Sequence, residues 1–270
     1  MAASVDESGF RHAHEAVLDQ HRARERAREE VPVVERALRR ALQDSTVIYE
    51  SLNLLTATAA HLAMQSASVA RPLPEDPRAR LLESLRRGSE RQPIRDLRRQ
   101  AAVRDHFHAE ADRVRPALEA CFGAQALSHL EHIGRFYNLA WEKLNSSETR
   151  ILRRLGSTVP SVSPQHGQVV AHAPLSQEDV YGPDVILLLD PFFRIQTTSR
   201  YQLITHAGRA QDLELLQAAT LVHEALHWLP LHGHQGNGDL RNPQNYEFYL
   251  SQRHARQPMS YSALNTLRRP

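Results

Sequence analysis

Between residue 10 and residue 30 the chain is rich in Ala, Arg, Glu and His and has no proline, a composition suited to a helix. Pro32 interrupts that run and fits the first turn of a new helix. In that second helix Val34, Leu38 and Leu42 recur every fourth residue, as one apolar face requires. Asp44-Ser45 offers a start for a third helix, VIYESLNLLTATAAHLAMQ, apolar enough to lie in a core. The proline-rich RPLPEDPRA (71–79) is the best break in the chain, and it divides an N-terminal helical region, 1–75, from the remainder, 76–270.

The pattern is helical again from Pro93 to about Leu155, where Gly156 closes it. That stretch holds an amphipathic run in which Leu127, Leu130, Ile133, Phe136 or Tyr137, and Trp141 share one side. Two short β-branched or apolar segments follow, QVVAHAP (168–174) and VILLLDPFF (185–193), which read as strands of a small sheet. A last amphipathic helix runs from about Ala210 to Trp228, with Leu215, Ala219, Val222, Leu226 and Leu229 as its apolar stripe. The fold class this implies is mainly α (α+β), a helical body with a small sheet.

That helix carries HEALH. His223 and His227 are four apart, hence on one helical face, and can point at a common ion. Glu224 stands beside the first of them, where its carboxylate reaches a metal-bound water without occupying the metal. Zinc lowers the pKa of such a water to about 7, and Glu224 is the base that takes its proton as a carbonyl is attacked. A catalytic zinc needs a third protein ligand. Asp239, twelve residues past His227, and Glu247, twenty past it, both supply a carboxylate, and His232 and His234 supply imidazoles.

The surrounding sequence resembles the aspzincin metalloendopeptidases, the group of deuterolysin and the peptidyl-Lys endopeptidases. The resemblance covers about residues 95–252 and rests on four pieces in order: Cys121-Phe122-Gly123, VILLLDPFF, ATLVHEALH and NPQNYEFYL (242–250). It implies a zincin-like catalytic domain binding Zn2+ and cutting peptide bonds in a protein or peptide substrate. It assigns His223 and His227 as metal ligands, Glu224 as general base and Asp239, in Gly236-Asn237-Gly238-Asp239, as third ligand. The chain departs from the family in having Asn242 where a tyrosine assists the oxyanion, and Tyr246 is the candidate to take that part.

Composition narrows the rest. The 32 arginines are dispersed among Asp and Glu, and the net charge is only +2, so no concentrated nucleic-acid stripe exists. No apolar run approaches the ~20 residues that span a bilayer. No apolar h-region opens the chain and Cys121 is the one cysteine, so the expectation is a protein made in the cytoplasm without a signal peptide and exported, if at all, by a dedicated system. A toxin or effector fits that description, with the N-terminal helices engaging a delivery or immunity protein. Lys143 is the one lysine among 33 basic residues; a GC-rich genome explains this, and so would self-protection in a protease that cuts beside lysine. The rival reading is a non-catalytic helical interaction protein in which HEALH is a structural metal clip.

Overall fold

A computed structural model describes residues 7–69, 91–155, 171–173, 184–193, 210–228 and 239–252. These residues form helices α1 (Glu7–Val69), α2 (Arg91–Phe122), α3 (Leu130–Leu144), α4 (Asp190–Phe193), α5 (Ala210–His227) and α6 (Pro243–Gln252). A 3-10 turn (Ala126–His129) leads into α3, and the strands are β1 (Arg150–Arg153), β2 (Ala171–His172) and β3 (Val185–Leu188). The architecture is mainly α with a small mixed sheet, as the periodicity predicts. No helix among the described residues is long and apolar enough to cross a membrane.

The N-terminal pattern resolves differently from the expectation of three helices. One continuous helix of 63 residues runs through both Pro32 and Asp44-Ser45. Proline in a helix interior costs about 3 kcal/mol and releases the carbonyl four residues back. Here Pro32 and Arg28 are both exposed, so water can take that carbonyl. Asp44 does not cap a helix either. It is buried at 3% exposure and accepts a 2.6 Å bond from Arg40 Nε one turn earlier.

The C-terminal part of α1 is core. Ala37, Ala41, Ile48, Leu52 and Leu55 follow a three-to-four residue spacing and bury against α3 and α5. They join one cluster with Leu118 and Phe122 of α2, Ile133 and Tyr137 of α3, Leu221 and Val222 of α5, and Phe248 and Leu250 of α6. Helix α1 thus supplies one wall of the core that the helix bearing HEALH fills. The boundary expected near residue 75 lies outside the described residues, as does the 71–79 segment.

Helix α2 ends where Gly123 adopts φ +84, a left-handed conformation that suits glycine, and its N–H returns to Glu119 O at 3.0 Å. Residues 150–153 correct the expectation that helix continues to Leu155. They form β1, parallel to β3 with Arg150 opposite Val185 and Arg153 opposite Leu188. Four residues, RILR, carry no periodicity that separates strand from helix, so pairing with the buried β3 decides. Strand β2 joins the other side of β3, antiparallel, giving the order β1-β3-β2.

Two ion-paired clusters pin this sheet. Arg153 bonds Glu30 of α1 and Asp190 of α4, and its guanidinium lies 4.6 Å from the Phe193 ring centre. Lys143, at the end of α3, pairs with Asp184 just before β3 and lies 5.1 Å from the Trp228 ring centre just after α5.

Candidate metal centre

Helix α5 is enclosed. Every residue from Leu216 to Leu226 is buried, packed by α1, α3, α6, β2 and β3. Four of those residues are polar: Gln217, Thr220, His223 and Glu224. Buried polar groups must be bonded or they cost about 1–3 kcal/mol each, so their partners define what this helix is for.

Gln217 Nε2 donates to Phe192 O at 3.0 Å and fixes the helix to α4. The Thr220 hydroxyl donates to Leu216 O at 3.0 Å and lies 3.4 Å from Oε1 of Glu247 on α6. His223 and Glu224 have chemistry to offer.

The His223 and His227 rings are 4.8 Å apart at 69°, with their Nε2 atoms 3.0 Å from one another. Two imidazole nitrogens approach this closely by sharing a proton or by sharing a cation. A tetrahedral zinc with bonds of 2.0–2.1 Å would hold two such nitrogens about 3.3 Å apart. The pair therefore fits two corners of a zinc site with only small adjustment.

On its other edge, His223 Nδ1 lies 3.0 Å from Oε2 of Glu247, a close approach rather than an ideally directed hydrogen bond. The two side chains are 9% and 7% exposed. Glu224 is buried beside this pair, and burial pushes its carboxyl from the ordinary 4.5 up to about 7. His223 and the amide of Ala173, just past β2, favour its ionised form, while the charge of Glu247 opposes it. A carboxyl poised near neutrality can both take and return a proton.

Asp239 and Tyr246 are placed elsewhere. Asp239 Oδ1 accepts from the Arg241 backbone N–H at 2.8 Å and lies 3.6 Å from the exposed Arg241 Nε. The structure does not gather it with the two histidines: no group of three His, Cys, Asp or Glu able to hold a metal occurs among the described residues. Tyr246, expected as the oxyanion donor, is a core side chain at 0% exposure. Its ring meets Phe122, Phe136 and Tyr137 edge-on, and its hydroxyl donates to Leu240 O at 2.8 Å. Burial, with Asp239 nearby, pushes its phenol well above the ordinary range. An oxyanion donor has to be open to the substrate; this hydroxyl is spent holding the turn before α6. Leu229, His232, His234 and the glycines at 236 and 238 lie outside the described residues.

Thr220 and the Ala173 amide were not singled out in the sequence. Thr220 precedes His223 by one turn on the same face, a spacing that is visible in hindsight. Nothing local marks Ala173, because its part depends on how β2 packs.

The chain matches no protein-family model, no curated protein and no solved structure.

Proposed function

We propose that this protein is a zinc-dependent metalloendopeptidase, and the convergence of His223 and His227 beside a buried Glu224 carries that reading. His223 and His227 would hold the ion through Nε2, and Asp239 would be the third protein ligand. Its contact with a 71% exposed arginine is of the kind worth little in water, so it does not compete with coordination. Zinc, when bound, supplies Lewis acidity that polarises the scissile carbonyl and acidifies water.

Glu224 performs the proton transfers. Its carboxylate accepts a proton from the attacking water and then delivers it to the leaving amine. Its buried place beside the two histidines lets the same group serve both steps. The Ala173 amide holds the carboxylate in place from the sheet side. The route to the substrate extends the reading: a chain exported by a dedicated system would act as a toxin or effector on another cell's proteins.

The test is a mass-spectrometric map of new peptide ends in a mixed protein substrate, treated with zinc-loaded wild type and, in parallel, with Glu224→Gln. Cuts made by wild type alone are expected, and lysine beside them would strengthen the resemblance. Equal maps from two zinc-loaded proteins would overturn the enzyme and leave a structural metal clip.

A further inference from the structure

Glu247 stands in the sequence as a rival third ligand, yet the geometry points to a different part. We infer that Glu247 is a positioning residue, whose carboxylate lies against Nδ1 of His223, favours the proton on that nitrogen and thereby leaves Nε2 turned toward His227. This rests on the metal-site reading above, and goes beyond it by removing Glu247 from the ligand set.

The argument is one of edges. The two nitrogens of an imidazole flank one carbon and direct their lone pairs well apart, so each can serve one partner. Nε2 of His223 faces Nε2 of His227 at 3.0 Å, so the shared ion belongs on that edge. Oε2 of Glu247 is 3.0 Å from Nδ1, on the other edge. A carboxylate against Nδ1 acts on the ligand, and it does so from off the line of the N–H.

Both carboxylate oxygens are occupied from α5. Oε2 meets His223, and Oε1 meets the Thr220 hydroxyl at 3.4 Å, one helical turn away. Glu247 itself is 5% exposed on a helix whose neighbouring side chains are all buried, so its position is fixed by packing. The packing of α6 on α5 is thus what sets the ring. Such an outer carboxylate selects the tautomer, restrains ring rotation and makes the coordinating nitrogen more basic. Its loss costs a metal site about 10–100-fold in affinity.

The spacing of Glu247 also explains the pattern of neighbours on α6. Tyr246 and Glu247 are adjacent, and a helix turns successive residues about 100° apart. Tyr246 therefore enters the aromatic core while Glu247 faces α5.

The experiment uses the full chain with zinc alone as the probe, in three forms: wild type, Glu247→Gln and Glu247→Ala. The first readout needs no metal. Nitrogen-15 NMR of the chelator-treated protein is expected to show His223 as the Nδ1–H tautomer in wild type and as a tautomer mixture in Glu247→Ala. Competitive zinc titration is expected to show affinity lowered about 10–100-fold in Glu247→Ala. The smaller loss belongs to Glu247→Gln, whose amide oxygen still accepts. Cobalt substituted for zinc should keep its visible band positions in Glu247→Gln, since no ligand has left.

An unchanged tautomer and an unchanged affinity in Glu247→Ala would overturn the positioning role while leaving the metal site intact. A shifted cobalt spectrum with one oxygen lost from the coordination shell would overturn it in favour of direct ligation. A wild type that shows the expected tautomer yet binds no zinc would overturn the metal reading and leave the His223–Glu247 contact standing.

Discussion

Helices α1 and α5 lie against one another in a single core, yet they are buried in different ways. Between residues 34 and 55, α1 hides one stripe and leaves the other to water, with Val47 and Leu54 exposed at 40% and 64%. Helix α5 is buried on every side from Leu216 to Leu226, and its enclosed faces include two titratable groups, His223 and Glu224. A helix that only had to fill a core would not carry His223 and Glu224 there, because unbonded they would destabilise it. The difference teaches that α1 is a wall, whereas α5 brings titratable side chains inside it. The four buried polar groups of α5 reach three neighbours: Gln217 meets Phe192 of α4, Thr220 and His223 meet Glu247 of α6, and Glu224 meets Ala173 beside the sheet.

The comparison breaks hardest at the wall. Leu52 is fully buried at the centre of α1's stripe, and Leu52→Ala should cost about 2–5 kcal/mol in urea unfolding. Zinc affinity of the folded molecules should be unchanged; a matching loss of affinity would mean that α1 is part of the site.

The next effect concerns α5. Glu224 titrates near 7 in the fold against 4.5 in an unfolded chain. The folded protein therefore prefers the protonated acid, and the associated stability, complete below about pH 4.5, is lost as pH rises through about 7. The 2.5-unit difference corresponds to on the order of 3 kcal/mol. With a chelator present, unfolding of wild type at pH 5 and pH 8 should show this fall, and Glu224→Gln should remove it. Parallel profiles for the two proteins would show that the carboxylate is solvated.

The smallest effect tests the boundary between wall and site. Tyr246→Phe deletes the hydroxyl that donates to Leu240 O and should cost about 1 kcal/mol, with cleavage rates preserved. An oxyanion donor would instead cost roughly 10²–10³ in rate, and such a loss would return Tyr246 to the site.

What the sequence made legible follows the range of each signal. The helix at 210–227 was readable because its apolar stripe and its two histidines repeat within one turn of one another. Residues 185–188 were readable because an apolar run ended by Asp-Pro marks a buried strand, but the DPFF that closes the expected segment turns into α4 (Asp190–Phe193). By contrast, the unbroken course of α1 through Pro32 depended on that proline being exposed, which only the packed structure decides. Strand β1 depended on β3, whose Val185 stands opposite Arg150. At the site, the identity of His223, Glu224 and His227 as candidates is a local pattern. Whether Glu247 faces the ion or the far edge of an imidazole is not local, since it turns on the crossing of α5 and α6. The same holds for Tyr246: a tyrosine near a metal motif is a donor or a core ring depending on which way its helix is rotated, and here the ring is buried.

The pairing of Lys143 with Asp184 has a chemical consequence. It carries the one side-chain amine in 270 residues; the other 32 basic side chains are guanidinium groups. Guanidinium groups stay protonated at any ordinary pH and resist acylation and Schiff-base formation. Lys143 itself is 25% exposed and ion-paired beneath the indole of Trp228. Acylating labels, aldehyde fixatives and enzymes that build isopeptide bonds thus find one side chain to act on, and that one is already engaged between α3, the turn before β3 and the end of the helix that carries the histidines.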